Sequence, residues 1–159
     1  MVSYGTNDSI ERLVETYSGI LLRLAASRLP NTMDAEDAVQ EVFLYLIEHQ
    51  VTFRNKTHEK AWLIRATLHR ASDIRRRAYH GDLPLEEVGE RGEDPPGESL
   101  LEELRSMPEE YAAVLYLFYY EGYSIREIAS LLNLSQSAVG VRLHRGRNLL
   151  RNIIKEDLT

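Results

Sequence analysis

Between residues 78 and 97 the hydrophobic periodicity of this chain stops. Gly81, Pro84, Gly89, Gly92, Pro95, Pro96 and Gly97 stand there among Asp and Glu, a composition that interrupts helices and strands and keeps the backbone solvated. Whatever folds must therefore be built from residues 1–77 and from residues 98–159, each near the lower limit of what can bury a core. With 43% hydrophobic and 28% charged residues the chain is too apolar to be disordered throughout. The expectation is an all-α chain: two small helical domains, 1–77 and 98–159, joined by an acidic flexible linker, 78–97. Those twenty residues reach ~70 Å when fully extended.

Charge follows the same division. The formal net charge is −6, which taken alone argues against a nucleic-acid partner. Residues 1–77, however, carry 11 Lys and Arg against 10 Asp and Glu, residues 78–107 carry 2 against 9, and residues 108–159 carry 6 against 6. The acidic excess thus lies in the middle, and each flank ends in a basic cluster: Arg70, Arg75, Arg76 and Arg77 in the first, Arg142, Arg145, Arg147, Arg151 and Lys155 in the second. Local patches, rather than net charge, decide phosphate binding.

Apolar residues recur every three or four positions on both flanks, and strand signals are absent. In the first flank, Asp8 and Glu11 form a capping-box-like start, and Ile10, Leu13, Val14, Tyr17, Leu21, Leu24 and Ala25 a stripe ending before Pro30. A second helix is predicted from near Thr32, with Ala35, Val39, Val42 and Leu46 inward and Asp34, Asp37 and Glu41 on an adjacent stripe. After a loop from Gln50 to Thr57, with Thr57 as candidate cap, a third helix is predicted from about His58 to Arg77. Ala61, Ile64, Leu68 and Ala71 are its core stripe; Trp62, Arg65, His69 and Arg76 lie beside it. In the second flank, Tyr111, Val114, Leu115 and Phe118 read as core, and the tyrosines Tyr111, Tyr116, Tyr119, Tyr120 and Tyr123 as packing groups rather than base-stacking ones.

Ser124-Ile125-Arg126-Glu127 is a capping box opening a short helix with Ile125, Ile128, Ala129 and Leu132 inward. Asn133-Leu134-Ser135 is a tight turn, and Ser135 caps a further helix held by Val139 and Leu143. This is a helix-turn-helix pattern whose second helix would enter the major groove. Its outward residues are Gln136, Ser137, Val141, His144 and Arg145, with Arg142, Arg147 and Arg151 placed for phosphates. In the first flank, acids at three- and four-residue spacing (Asp34, Asp37, Glu41) suit a cation, a basic partner helix or helix-dipole compensation; the last explains Glu41 poorly. A helix bearing Trp62 with several arginines suits either a core Trp or the clamping of unpaired bases.

No cysteine is present, which removes disulfides, thiolate metal sites and thiol catalysis. The histidines His49, His58, His69, His80 and His144 are scattered without metal-site spacing, and there is no Gly-rich phosphate loop. Neither a metal nor a cofactor is expected, and no enzyme activity. No apolar stretch approaches the roughly 20 residues of a membrane span, and the N-terminus does not resemble a secretory signal; a cytoplasmic protein without membrane insertion is expected.

In order along the chain stand Asp34-Ala-Glu-Asp-Ala-Val-Gln-Glu-Val-Phe43, Ala61-Trp-Leu-Ile-Arg65, Asp73-Ile-Arg-Arg-Arg77, the Pro/Gly-rich gap, Met107-Pro-Glu-Glu-Tyr111, Tyr119-Tyr-Glu-Gly-Tyr-Ser-Ile-Arg-Glu-Ile-Ala129, and Ser135 to Arg147. This series resembles the bacterial RNA polymerase sigma factors of the extracytoplasmic-function type (group IV), over roughly Ile10 to Ile154. The resemblance implies that the second helix docks on core RNA polymerase through Asp37, Gln40, Glu41 and Leu44. It implies that the loop around Phe53, with Arg54, Asn55 and Lys56, and the third helix, with Trp62, Arg65, His69 and Arg76, hold the melted minus-ten promoter element. The C-terminal motif, with Ser135, Gln136, Ser137, Val141, Arg142, His144, Arg145 and Arg147, would read the minus-thirty-five element as duplex. It also implies an anti-sigma factor as regulator, a linker threaded into the polymerase, and no room for the extra domains of primary sigma factors. His69 stands where the family usually has Asn, and Gly140 and Val141 where Lys or Arg and Ser or Thr are common. A helix-turn-helix regulator that never engages polymerase, and a protein that only titrates a regulator, are the competing expectations.

Overall fold

The computed structural model describes residues 7–79 and 100–157. The chain divides into two compact units, Met1–Glu90 and Arg91–Thr159. Among the described residues the regular elements are helices: α1 (Asn7–Ala26), α2 (Thr32–Glu48), α3 (Lys56–Tyr79), α4 (Leu100–Ser106), α5 (Glu109–Tyr119), α6 (Ile125–Leu132) and α7 (Gln136–Asp157). The linker expected at 78–97 lies outside the described residues, except that α3 continues through its first two positions.

In the first unit α1, α2 and α3 each pack against the other two. Leu13, Tyr17, Leu21, Leu24 and Ala25 of α1 are buried as their spacing predicts, but Val14 is 37% exposed and Ile10 half-buried, so two members of the stripe fall at the rim of the core. The side chain of Asp8, expected to open α1, lies outside the described residues. After α1 the chain turns tightly, the Ser27 hydroxyl donating to the Leu24 carbonyl at 2.6 Å. Arg28 is buried in that turn, and its carbonyl accepts from Arg75 of α3 at 3.1 Å. Across the unit, Arg12 of α1 pairs with the buried carboxylate of Glu59 in α3 at 3.0 Å.

Asn31 caps α2, its side chain accepting from the backbone N–H groups of Met33 and Asp34 at 2.8 and 3.3 Å. Ala35, Ala38, Val39, Val42, Phe43 and Leu46 face inward. α3 starts two residues earlier than expected because Asn55, not Thr57, is its cap: the Asn55 carboxamide oxygen accepts from the His58 N–H at 2.9 Å. Phe53, 4% exposed, anchors the preceding loop between His58 and Trp62, with ring centroids 5.4 and 5.6 Å away. Ala61, Leu63, Ile64, Ala71 and Ile74 carry the core side of α3, while Leu68 is half-buried.

In the second unit α7 is the spine, packing against α4, α5 and α6. α5 is buried from Ala112 to Leu117. Gly146 makes this possible: a Cβ there would lie 3.0 Å from a methyl carbon of Leu115 and 3.3 Å from the Cβ of Tyr111. The side chains of α5 pack directly on the α7 backbone at this point. Gly122, at φ 75°, turns the chain from α5 towards α6. The Ser124–Glu127 capping box is present in both directions, at 3.1 and 3.0 Å. α6 ends on Asn133 in the left-handed region (φ 56°, ψ 49°), which Asn tolerates better than most residues. The Leu134 N–H then donates to the Ala129 carbonyl at 2.9 Å, and Ser135 opens α7 by accepting from the Ala138 N–H at 3.0 Å. Ile128, Ala129 and Leu131 fill the inner side of α6; Leu131 takes the buried position expected of Leu132, which is half-buried at the last residue of the helix.

Candidate functional site

Two surfaces of the first unit meet along α2. Asp37, Gln40 and Leu44 are exposed and Glu41 is half-buried, all on one stripe of the helix. Leu44 is 53% exposed and Ile47 38%. With Val14 and Leu22 of α1 they line an open apolar trough between α1 and α2. The sequence stripe named Leu44 but neither Ile47 nor Val14, because periodicity assigns apolar groups to the core by default. Asp34, in the first turn, has its carboxyl pushed above the ordinary value, first by burial and second by repulsion from Asp37.

Glu41 is the residue that local spacing left unexplained, and its partner is 29 residues away. It accepts a hydrogen bond from the Arg70 guanidinium. That bond is the main reason the Arg70 pKa is raised, with burial opposing it and the charges of Glu41 and Asp73 adding to it. Asp73 gathers its neighbours: it pairs with Arg76, and lies 3.8 Å from Arg70 and 3.7 Å from the imidazole of His69. The α2–α3 cleft holds Tyr45, Trp62, Arg65, His69 and Arg70 together. Tyr45, 51% exposed, is stacked on His49 at 3.9 Å and lies 6.2 Å from Trp62. Tyr45 and Arg70 were not among the expected site residues; the Trp62–Arg65–His69 stripe lies on α3, and nothing in the local sequence brings α2 to it. Arg65 also donates to the Ala61 carbonyl at 3.3 Å. Arg54, Asn55 and Lys56 are exposed at the head of α3, Asn55 with its carboxamide oxygen engaged as the cap, whereas Arg76 lies three turns beyond Arg65, outside the cleft.

In the second unit Gln136, Ser137, Val141, His144 and Arg145 are exposed on one face of α7, and Arg142 is half-buried at its edge. Val139 and Leu143 point the opposite way, into the core. Ser135 sits at the head of this face with its oxygen occupied by the cap. Arg147 is held differently from its neighbours. It donates to the Tyr119 hydroxyl at 2.6 Å, and its guanidinium lies 5.8 and 5.7 Å from the ring centroids of Phe118 and Tyr119. Tyr119 is 57% exposed. This corrects the expectation that the tyrosines are packing groups: it holds for Tyr116, 3% exposed, and fails for Tyr119, which projects from the last turn of α5 and holds Arg147.

Residues 13–80 match the family described as Sigma-70 region 2, and residues 97–150 the family described as Sigma-70, region 4. The RNA polymerase sigma factor SigV of Bacillus subtilis is 30% identical, over 86% of this chain and 86% of its own length. The chain belongs to the extracytoplasmic-function sigma factors. The ECF RNA polymerase sigma factor SigE of Mycolicibacterium smegmatis is 31% identical, over 92% of this chain but 62% of its own length. The solved structure of CnrH in complex with the cytosolic domain of CnrY aligns over 96% of this chain and 92% of that one, at 26% identity and a TM-score of 0.70. In this sigma factor region 2 therefore contains the α2 stripe and the α2–α3 cleft, and region 4 contains the helix-turn-helix. Sigma factors are non-catalytic factors of transcription initiation. Among the described residues there is no cluster of three or more metal-binding side chains, and no helix is long and apolar enough to cross a membrane.

Proposed function

We propose that this sigma factor binds core RNA polymerase through its first domain, residues 1–77, and directs promoter recognition, melting and initiation. The exposed α2 stripe of Asp37, Gln40, Glu41 and Leu44 docks on the polymerase, its acids meeting basic groups and its Leu entering an apolar pocket. Arg54, Asn55, Lys56, Trp62, Arg65, His69 and Arg76 hold the melted minus-ten strand, where unstacked bases lie against aromatic and guanidinium planes. The acidic linker, 78–97, runs between the domains, and its charge suits a channel that otherwise receives nucleic acid. The second domain, 98–159, sets α7 in the major groove of the minus-thirty-five duplex through Ser135, Gln136, Ser137, Val141, His144 and Arg145, with Arg142 on phosphate. Arg147, held by Tyr119, reaches phosphate from a fixed position rather than as a swinging side chain. The protein acts in the cytoplasm without cofactor, metal or catalytic step of its own; the chemistry is the polymerase's.

The observation that carries this proposal is the exposed face of α7, polar at both ends and backed by Val139, Leu143 and the Gly146 crossing, in the same chain as an α2 stripe that its own core leaves uncovered. Regulation by an anti-sigma factor that covers these faces is supported by CnrH, whose structure contains the cytosolic domain of a second protein.

Run-off transcription from fragmented genomic DNA, with purified bacterial core polymerase and with or without this protein, tests the proposal. Discrete new starts that share two upstream elements are expected. Duplex binding without new starts would make the protein a helix-turn-helix regulator; neither starts nor binding would leave titration of a regulator.

A further inference from the structure

The outward face of α7 has an uneven chemistry. Gln136 and Ser137 offer hydrogen-bonding groups in its first turn, and His144 and Arg145 offer them two turns on. Between them stand Gly140 and Val141. Val141 is 44% exposed, and a Cβ built on Gly140 meets nothing within 4 Å. The centre of the face therefore presents one isopropyl group, uncovered on its Gly140 side, and no donor or acceptor. A single exposed valine is ordinary on a protein surface. This one occupies the middle of the face that a helix-turn-helix turns towards base edges, at the same helical phase as Ser137 and His144, four residues after one and three before the other.

In the major groove each base pair has its own pattern, and only thymine presents a methyl group there. Opposite an isopropyl group, the C4 amino group of cytosine or the N7 and O6 acceptors of guanine would lose water without gaining a partner. We infer that Val141 is a specificity-determining residue that selects a thymine in the minus-thirty-five element by contact with its C5-methyl group. This rests on the proposed reading of that element by α7. Burying one methyl is worth ~0.8 kcal/mol, which converts to about four-fold in affinity; exchanging the whole base pair costs about ten-fold or more.

The test uses holoenzyme and a promoter duplex identified by run-off transcription. Each thymine of the upstream element is replaced in turn by deoxyuridine, which removes only the methyl group, and the Kd is measured for the wild type and for Val141→Ser. One position is expected to weaken wild-type binding about four-fold and to leave Val141→Ser indifferent; as an exposed residue, position 141 tolerates Ser without loss of helicity by circular dichroism. Equal binding of all deoxyuridine probes by the wild type overturns the assignment of Val141. So does a methyl dependence that persists in Val141→Ser. In both cases new starts and shared elements leave the sigma-factor proposal standing, whereas absence of any new start overturns both together.

Discussion

Arg70 and Arg76 of region 2 and the arginines of α7 in region 4 are held in opposite ways. On α3, Arg70 is bound by Glu41 of the neighbouring helix, and Arg76 by Asp73 of its own. On α7, among the described residues, Arg142, Arg145 and Arg151 have no acidic partner, and Arg147 rests on a phenol and two aromatic rings rather than a carboxylate. Cations already paired within the protein have to exchange one partner for another before they attract phosphate, which costs part of the Coulombic gain. Unpaired ones act at once and over a Debye length. The arginines of α7 are electrostatically ready for duplex DNA, whereas Arg70 and Arg76 of α3 are balanced within the protein until something competes for Glu41 and Asp73.

Charge reversal at Glu41 gives the largest expected effect. Glu41→Lys places a cation against Arg70 and removes the acid from the proposed polymerase face, so affinity for core polymerase should fall on the order of 100-fold with helicity retained, as read by fluorescence-detected binding and circular dichroism. Normal core binding would remove this face from the interface and weaken the contrast between the two regions. Next, Asp73→Asn should raise affinity for single-stranded minus-ten oligonucleotide several-fold by releasing Arg76 and removing an acid beside His69, with Arg70 still held by Glu41; unchanged affinity would mean that the Asp73 pairs do not restrain these groups. Gly140→Lys should strengthen binding to minus-thirty-five duplex several-fold: the site has space, and replacing a helical Gly relieves up to ~1 kcal/mol of helix cost. Arg145→Ala should make the log–log salt slope of duplex binding shallower by about 0.9, one phosphate's worth.

The smallest expected effect belongs to Glu59. Burial raises its carboxyl pKa from the ordinary value of 4.5, even though Arg12 stands at 3.0 Å. Because the folded-state pKa is the higher one, the stability linked to its protonation is fully present below pH 4.5 and is lost as pH rises through the raised value. The melting temperature of the wild type should therefore carry a shallow downward component above pH 4.5 that Glu59→Gln lacks; identical pH profiles would count against it.

Much of this architecture is legible in apolar spacing, and the exceptions have local causes. The inward residues of α2 and the whole turn from Ser124 to Ser135 follow from short-range rules, because caps and left-handed turn residues act within four positions. The start of α3 does not. Asn55 and Thr57 are both competent caps two residues apart, and the burial of Phe53, a tertiary fact, decides between them. Glu41 looked anomalous for the same reason: Arg70 reaches it only once α2 and α3 have packed. Tyr119 follows the helical phase of a core group and escapes burial because α5 ends there. The outward residues of α7 were the clearest part of the site in the sequence, since they lie on one uninterrupted helix.

The crossing at Gly146 gives α7 a bearing. At 1.5 Å per residue this helix is a beam of about 33 Å, and at Gly146 the side chains of Leu115 and Tyr111 of α5 close on it without a side chain between. Its outward side chains can change from one promoter preference to another without altering that seat. A methyl group at position 146, by contrast, would press on the Leu115 methyl and the Tyr111 Cβ, which would have to give by a few tenths of an ångström, so the seat of α7 is more sensitive to change than its outward face.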